Sequence, residues 1–225
     1  MKVLVGCEFS QVVTKAFRDR GHEAYSCDLL PTEGNPDWHI QGDVFEAIKQ
    51  VKPELGIFHP PCTYLTLAGN RWFNPEYRMR YPNRQEQRQE AIQFVKQLAN
   101  ANIKRIAIEN PLGVLSTCWR EPTQIIQPFM FGDAERKTTC LWLKNLPKLK
   151  PTKIVKPKLI LCKDGKWYSE YHIKTFNMPS KIRGHERSRT FQGIADAMAT
   201  QWENYKEIQA ELMLYNSSET KRETQ

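Results

Sequence analysis

The sequence predicts an α/β fold built on a doubly wound parallel sheet. Three observations support this prediction. Short apolar runs alternate with amphipathic segments through the first 110 residues, as in chains built of strand–helix–strand units. Each apolar run ends in polar, proline or cysteine residues. Hydrophobic residues make up 40% of the 225 residues, which is enough for a sizeable core and excludes intrinsic disorder for most of the chain.

The first two predicted strands are joined by a helix. Val3 to Val5 is a short apolar strand that ends at a glycine. Ser10 is the predicted N-cap of the helix, and Gly21 closes it. The second strand, Ala24 to Cys27, ends in Asp28. The apolar face of the intervening helix would contain Val12, Val13, Ala16 and Phe17.

Three further strands and two helices complete this half of the chain. The strands are His39 to Asp43, Leu55 to Phe58 and Ile103 to Ile108, and the helices are Phe45 to Val51 and Asn83 to Ala101. The longer helix would turn Ala91, Ile92, Phe94, Val95 and Leu98 inward. Pro60-Pro61 should stop the fourth strand, and Asn110-Pro111 should break the fifth.

The pattern weakens after residue 112. Thr138 to Leu143 is a predicted strand, Leu159 to Cys162 and Trp167 to Tyr171 form a predicted hairpin around Asp164-Gly165, and Ile194 to Leu214 is a predicted helix. These elements divide the chain into a core of residues 1–144, a short insert of residues 145–185, a returning C-terminal helix within residues 186–215 and a disordered tail of residues 216–225.

Positive charge is concentrated in one segment. The formal net charge is +8, and residues 148–190 contribute about +9 of it. Trp167, Tyr168, Tyr171, His172 and Phe176 are interleaved with these lysines and arginines. Such a basic, aromatic-rich segment is typical of a surface that contacts phosphates. A lysine-rich face that only keeps the protein in solution is the alternative.

The six cysteines are scattered without a CxxC pair, which argues against a zinc site and against a disulfide framework. A reducing cytoplasmic setting follows, with no metal. No apolar run approaches the roughly 20 residues of a membrane span. The first ten residues predict a strand rather than a signal peptide.

Two strand ends point to catalysis. Cys62 follows two prolines, which fix the backbone and hold the thiol at the strand exit. Glu109 and Asn110 end the next strand, where burial should raise the pKa of the carboxyl, as suits a group that shares a proton. A packing role for Cys62 and a structural hydrogen bond for Glu109 are the alternatives. His59 is interpreted as an ordinary loop histidine rather than a group that tunes the thiolate.

The second strand ends in an acid that suggests a nucleotide-like ligand. Asp28 lies 22 residues after Gly6, the spacing at which an acid binds ribose hydroxyls in nucleotide-binding α/β folds. The loop of residues 6–11 has only one glycine, which disfavours a pyrophosphate cradle. A ligand that contains an adenosine but no phosphates has less need of such a phosphate-binding cradle.

Taken in order, Gly-Cys-Glu-Phe-Ser, an acid, Gly-Asp, Pro-Pro-Cys, Glu-Asn and a C-terminal helix resemble the cytosine-C5 DNA methyltransferases, above all the small, often phage-encoded members. The match consists of islands within residues 1–205, and Pro61-Cys62 with Glu109-Asn110 are its specific part. The resemblance implies a Rossmann-like class I methyltransferase fold and methyl transfer from S-adenosylmethionine to carbon 5 of cytosine, in restriction–modification or phage DNA modification.

The resemblance also assigns roles to residues. Cys62 would add covalently to carbon 6 of cytosine, Glu109 would hydrogen-bond the ring at N3 and the exocyclic amine, and Arg136 would help to hold the base. Asp28 would bind the ribose of the cofactor and Asp43 its adenine amine. The full set implied for the cofactor site is Gly6, Glu8, Phe9, Asp28, Asp43 and Pro60.

The implied partner is double-stranded DNA, from which the target base must be extruded. The insert is short and offers few side chains for reading base edges, which predicts short or relaxed sequence specificity. We expect a monomer in the cytoplasm of a bacterial or phage-infected cell. The residues expected to contact DNA are Arg71, Trp72, Lys156, Lys158, Lys163, Lys166, Arg183 and Arg187.

Two other functions stay open. The loop after the first strand lacks the usual glycines, and residues 187–193 replace the last motif of the family, which favours a catalytically weak or inactive protein that binds DNA. C5 chemistry on RNA or on free pyrimidine nucleotides is the other alternative, for which the basic segment would be less necessary.

Overall fold

The computed structural model describes residues 1–203, apart from the side chain of Lys181. The strands are β1 (Lys2–Gly6), β2 (Glu23–Asp28), β3 (His39–Gln41), β4 (Leu55–Phe58), β5 (Arg105–Pro111), β6 (Gln124–Ile126), β7 (Thr139–Lys144), β8 (Leu159–Leu161) and β9 (Trp167–Ser169). The helices are α1 (Val12–Arg18), α2 (Val44–Val51), α3 (Arg84–Ala99), α4 (Leu115–Cys118), α5 (Glu170–Phe176), α6 (Ser180–Ser188) and α7 (Gln192–Trp202). The predicted tail and the predicted helix beyond residue 203 lie outside the described residues.

The fold is mixed α/β around a seven-stranded, mostly parallel sheet. Its strand order is β3-β2-β1-β4-β5-β7-β6. The first five strands in this order are parallel, and β7 runs antiparallel to both of its neighbours. The five strands predicted in the first half of the chain are confirmed. β1, β4 and β5 are identifiable because a strand buried on both faces has a continuous run of apolar residues.

Helices cover both faces of this sheet, as a doubly wound arrangement requires. Alternate residues of β1 divide between two cores: Val3 and Val5 pack with residues of α1 and α7, whereas Leu4 packs with residues of α2 and α3. β8 and β9 form a separate two-stranded hairpin. The carboxyl ends of β1, β2, β4 and β5 therefore meet at one edge of the sheet, where ligands bind in folds of this kind.

Three local predictions are wrong. Ser10 does not cap α1; its N-cap is Gln11, which makes no capping hydrogen bond. β5 is not broken at Asn110-Pro111, because the antiparallel β7 pairs with it to the end and matches Pro111 with Thr139. Tyr171 belongs to α5 rather than to the hairpin, although the hairpin itself forms as predicted, with Gly165 at a φ of 74° in its turn.

No helix within residues 1–203 is long and apolar enough to cross a membrane.

Candidate active site at the carboxyl ends of the strands

A cleft of about 450 Å³ opens at the carboxyl ends of β1 and β2. Asp28 and Asp43 line it together with Cys7, Pro61 and Phe94. Asp28 uses one carboxylate oxygen to accept a hydrogen bond from the Leu30 amide, and Asp43 uses one to cap α2. Within residues 1–203 the second oxygen of each carboxylate has no hydrogen bond. Two acceptors are thus free for hydroxyl or amine donors of a ligand.

The loop between β1 and α1 makes its turn without the usual glycines. Cys7 and Gln11 instead adopt left-handed backbone conformations, with φ of 59° and 56°. The Gln11 side chain holds this loop by donating to Ser26 Oγ and to the Asn35 carbonyl. Gly6 is required for packing, because a Cβ there would lie 2.6 Å from the Phe58 ring. The missing glycine motif is therefore replaced by side-chain hydrogen bonds.

Four residues assigned to the cofactor site by resemblance do not line this cleft. Glu8 is buried and accepts hydrogen bonds from the Val13 and Thr14 amides, so its carboxylate serves the start of α1. Phe9 is buried with its ring stacked on His185, at 4.1 Å between centroids. Gly6 serves packing, and the carbonyl of buried Pro60 accepts a hydrogen bond from the side-chain amide of Asn110. Among this group of predictions, Asp28 and Asp43 alone face the cleft.

His59 and Glu109 form a buried pair beside the cleft. His59 Nδ1 donates to Glu109 Oε2 over 3.0 Å. The parallel register of β4 and β5 aligns Phe58 with Ile108, and so brings the next residues, His59 and Glu109, to the same level. The interpretation of His59 as an ordinary loop histidine is therefore wrong. Adjacent strands in the predicted sheet were the signal that could have revealed the pair.

The charge state of Glu109 differs from the expectation. Burial raises the pKa of this carboxyl, but the hydrogen bond from His59 and the positive charge of Lys137 outweigh burial. The pKa of Glu109 is therefore below its ordinary value, not above it, and the group is ionised at neutral pH.

Cys62 is half-buried in the loop that follows β4. Burial raises the pKa of the Cys62 thiol, the negative charge of Glu109 raises it further, and the Lys137 charge lowers it in part. The thiol is thus protonated in this state. The Cys62 carbonyl accepts hydrogen bonds from the Leu65 and Thr66 amides, which turn the chain immediately after it. The site therefore pairs a neutral thiol with an ionised carboxylate.

Of the neighbours Arg136 and Lys137, it is Lys137 whose positive charge lowers the pKa of both Cys62 and Glu109. Lys137 also donates hydrogen bonds to the Arg187 and Arg189 carbonyls, at 2.8 and 3.2 Å. Arg136 is exposed and lies near Trp167 and Tyr168 instead. The segment that precedes β7 therefore places these two neighbours in different surroundings, which the sequence does not distinguish.

The residues of the insert and α6 that were predicted to contact DNA fall into two groups, exposed lysines and arginines that make hydrogen bonds within the protein. Lys156, Lys158, Lys163 and Lys166 are exposed on the insert, and Lys158 lies 3.7 Å from Glu170. Arg183 donates to the Phe176 carbonyl. Arg187 donates to Thr175 Oγ1 and to the His172 carbonyl, and burial, with the nearby Arg183 charge, lowers its pKa. Arg187 therefore joins α5 to α6.

Arg71 and Trp72 lie in the loop that follows Cys62. Arg71 is exposed and lies over the Trp72 ring at 4.3 Å. Further along, Arg84 and Arg88 pack on Phe73, at 4.9 and 3.3 Å from its centroid. Arg88 also donates to the Tyr64 carbonyl. These two arginines hold the loop against α3, whereas Arg71, like Arg78 and Arg80 further along the loop, is exposed to solvent.

Gly113 supports the loop of Cys62 from the end of β5. The Val114 amide donates to the Leu65 carbonyl over 2.9 Å, and a Cβ on Gly113 would lie 1.9 Å from that oxygen. Gly113→Ala must therefore displace backbone, and we expect a loss of about 2–4 kcal/mol in the free energy of unfolding. Gly184→Ala, with nothing within 4 Å, is the control and should be neutral or slightly stabilising. Urea unfolding measures both, and equal effects would contradict this reading.

Stability should depend on the ionisation of Glu109. Because its pKa in the folded protein is below the ordinary value, the carboxylate stabilises the fold above that ordinary value, and the contribution disappears as pH falls through the lowered pKa. Urea unfolding of wild type and Glu109→Gln between about pH 7 and about pH 3 measures the difference in unfolding free energy. We expect the advantage of the wild type to shrink on acidification. A growing advantage would contradict the assigned direction.

No family model and no curated protein matches this chain. Among solved structures, one similar chain is encoded within an Escherichia coli prophage and is proposed to be a DNA modification methyltransferase. The two share 13% identity with a TM-score of 0.43, over 69% of this chain and 52% of the other, so this chain spans about half the length of that protein. Residues 1–203 contain no cluster of three or more histidines, cysteines or acids that could hold a metal ion.

Proposed function

We propose that this protein is a DNA methyltransferase that transfers a methyl group from S-adenosylmethionine to carbon 5 of cytosine. The observation that carries the proposal is the placement of Cys62 and Glu109. Of the two residues that match the specific motifs of the family, Glu109 lies near the end of β5 and Cys62 follows the adjacent strand β4, and the charge of Glu109 raises the pKa of the Cys62 thiol. Pro61, immediately before Cys62, lines the cleft that contains Asp28 and Asp43.

The order of the sheet supports the proposed class. Without β7 it is the Rossmann order, and the added strand is antiparallel between β5 and β6. This arrangement agrees with the class I methyltransferase fold that the sequence resemblance implies. We extend the proposal to the domain organisation, with residues 1–144 as the catalytic core and residues 145–185 as the insert that contacts DNA.

The cleft fits the proposed cofactor. Asp28 would accept from its ribose hydroxyls and Asp43 from its adenine amine, using the carboxylate oxygens that the fold leaves free. The loop of Cys7 and Gln11 offers no cradle for phosphates, and S-adenosylmethionine has none. When bound, the cofactor supplies an electrophilic methyl group. Asp28 and Asp43 would orient the cofactor, and Pro61, which lines the cleft, would place Cys62 beside the cofactor.

The chemistry proposed for Cys62 begins with a proton transfer. Passing the thiol proton to the Glu109 carboxylate leaves a thiolate and a neutral acid, with the total charge of the pair unchanged. The thiolate then forms a bond to carbon 6 of cytosine as the 5,6 double bond opens, which makes carbon 5 nucleophilic. The protonated Glu109 donates to N3, where negative charge develops. Lys137 stabilises the thiolate, since its charge favours that form. After methylation, loss of the carbon 5 proton to a solvent base expels the Cys62 thiolate and restores the double bond.

The proposed substrate is double-stranded DNA, with the target cytosine extruded into the site. Exposed Lys156, Lys163 and Lys166 would contact phosphates and fix position without reading sequence. We therefore propose a recognition sequence of about two or three base pairs, or relaxed specificity. Bisulfite sequencing of DNA from expressing cells tests this point, and a long, strict consensus would refute it. A monomer in the cytoplasm completes the proposal.

One observation favours a second candidate, methylation of an exocyclic amine of cytosine or adenine. That reaction needs no thiolate and uses acceptors for the protons of the amine. A protonated Cys62 and an ionised Glu109 suit it without any proton transfer.

Analysis of the modified base separates the candidates. DNA from cells that express the protein, and from cells with the empty vector, is digested to nucleosides and measured by mass spectrometry. We expect 5-methylcytosine only in the first sample. N4-methylcytosine or N6-methyladenine would favour amine methylation. Absence of every methylated base, with the protein expressed and folded, would favour an inactive DNA-binding protein.

Substitution of Lys137 tests the corrected assignment of the cation. Lys137→Met should lower the rate of methyl transfer about 10- to 100-fold, because the Cys62 thiolate loses the positive charge that stabilises it. Arg136→Met, the neighbouring control, should change the rate less than about twofold. Single-turnover transfer of tritiated methyl measures both rates. The opposite ranking would restore Arg136 to the site.

A further inference from the structure

A second cavity lies in the basic insert, away from Cys62 and Glu109. It has a volume of about 630 Å³ between the turn of the β8–β9 hairpin and helix α5. Its walls include Lys163 from the turn, Tyr168 from β9, and His172, Phe176 and Asn177 from α5 and its C-terminal end. None of these residues belongs to the methyl-transfer site proposed above.

The aromatic wall of this cavity is an ordered column of rings. Tyr168 and His172 stack at 4.8 Å with an interplanar angle of 17°, and His172 and Phe176 follow at 5.9 Å and 28°. The Tyr168 hydroxyl donates to Asp164 over 2.7 Å and so fixes the first ring. Burial, with the nearby Arg187 charge, lowers the pKa of His172, which keeps this ring neutral at neutral pH. The column is therefore a flat, uncharged stacking surface.

The column ends at solvent rather than in a core. Phe176, at the end of α5, is 60% exposed, and Trp167, next to Tyr168 in β9, is 59% exposed. A large aromatic ring left open to water at the end of a stack leaves one face for another planar group. Asn177, beside it, has an exposed amide with both a donor and an acceptor, the groups that read the edge of a base.

The charge around the cavity favours a polyanion. Lys163 and Asp164 both lie in its wall, and Asp164 accepts the hydrogen bond from Tyr168. Lys166 follows on the same turn and Arg183 lies on α6, in a segment where basic residues outnumber acidic residues fourfold. A protein partner would match the apolar rings but would gain less from this charge. Aromatic stacking beside lysines that follow a phosphate backbone is how single-stranded nucleic acid is bound.

We propose that this cavity binds an unpaired nucleobase of single-stranded DNA, stacked on Phe176. A base inside a duplex cannot reach the ring, since both of its faces are covered by neighbouring base pairs. The choice of DNA over RNA rests on the proposed function, whereas the stacking site does not. The inference adds a second nucleic-acid contact, specific for unpaired bases, beside the phosphate contacts of the lysines.

Binding measurements with the full-length protein test this inference without cofactor or methyl transfer. The probes are a fluorescent oligothymidylate of about 12 nucleotides, a duplex of the same length and an oligouridylate of the same length. Phe176→Ala should weaken binding of the oligothymidylate about 5- to 150-fold and leave duplex binding unchanged. Phe176→Leu should behave like the alanine variant, and Phe176→Tyr should restore binding, because only the tyrosine keeps a ring. Ile182→Ala, which removes another exposed apolar side chain, is the control.

The remaining outcomes contradict the inference. Unchanged binding of the oligothymidylate by Phe176→Ala, or equal losses on duplex and single strand, would remove the stacking site. Restoration by Phe176→Leu as well as by Phe176→Tyr would show that apolar area, not a ring, is required. Tighter binding of the oligouridylate would overturn the choice of DNA. Circular dichroism of each variant checks the fold. Because the binding assay does not involve methyl transfer, its results can be interpreted even if the protein proves not to be a methyltransferase.

Discussion

Cys62→Ala should abolish methyl transfer while the protein stays folded. Without the sulfur no bond can form to carbon 6 of cytosine, and carbon 5 by itself is a poor nucleophile. We expect the rate to fall at least about 10⁴-fold. The free energy of unfolding should change by less than about 1 kcal/mol, because Cys62 is only half-buried and belongs to neither core. Single-turnover assays with tritiated cofactor and urea unfolding measure the two quantities.

The chain offers a matched control for this substitution. Cys118 is an exposed thiol at the end of α4, and Cys118→Ala should retain full activity. Persistent transfer by Cys62→Ala would eliminate the covalent route. It would favour methylation of an exocyclic amine, for which the thiol has no chemical role.

Glu109→Gln should be the second most damaging change. Glutamine keeps the shape of the side chain but can neither take the thiol proton nor present a carboxyl O–H to N3 of the base. We expect the rate to fall about 10²- to 10⁴-fold. His59 and Lys137 would also lose the negative charge that they face. Glu90→Gln, on the exposed face of α3, is the control and should be silent.

The dependence on pH distinguishes a catalytic Glu109 from a structural one. In the wild type the thiol proton passes to Glu109 within the pair, so the rate should change little between the lowered pKa of Glu109 and the raised pKa of Cys62. In Glu109→Gln the thiol must lose its proton to solvent, so the residual rate should rise with pH. A residual activity with an unchanged pH profile would show that Glu109 only supports the fold.

The central strands were predictable because each is buried on both faces and short. Leu55 to Phe58 could be bounded from its apolar residues alone, and the structure gives β4 those limits. The continuation of β5 through Pro111 could not, because it depends on pairing with β7, about 30 residues away in the chain. The start of α1 was missed for a similar reason, since the acceptor that receives its free amides is Glu8, outside the helix.

The site residues show the same contrast between positions that local sequence indicates and contacts that depend on distant residues. Strand ends in the sequence placed Cys62, Glu109, Asp28 and Asp43 near one edge of the sheet. The partners of these residues depend on register and on distant segments, so Lys137 was mistaken for its neighbour. The pKa of Glu109 was predicted in the wrong direction because its burial was considered and the hydrogen bond from His59, which follows the adjacent strand, was overlooked.

Trapping with 5-fluorocytosine tests the covalent chemistry most directly. Duplex DNA that contains this base is incubated with the protein and S-adenosylmethionine, because fluorine at carbon 5 blocks the elimination that would release the enzyme. The account predicts a denaturant-resistant protein–DNA adduct, with the crosslinked peptide containing Cys62, and no adduct with Cys62→Ala. Methylation of ordinary DNA without any trapped adduct, or an adduct through another residue, would contradict it.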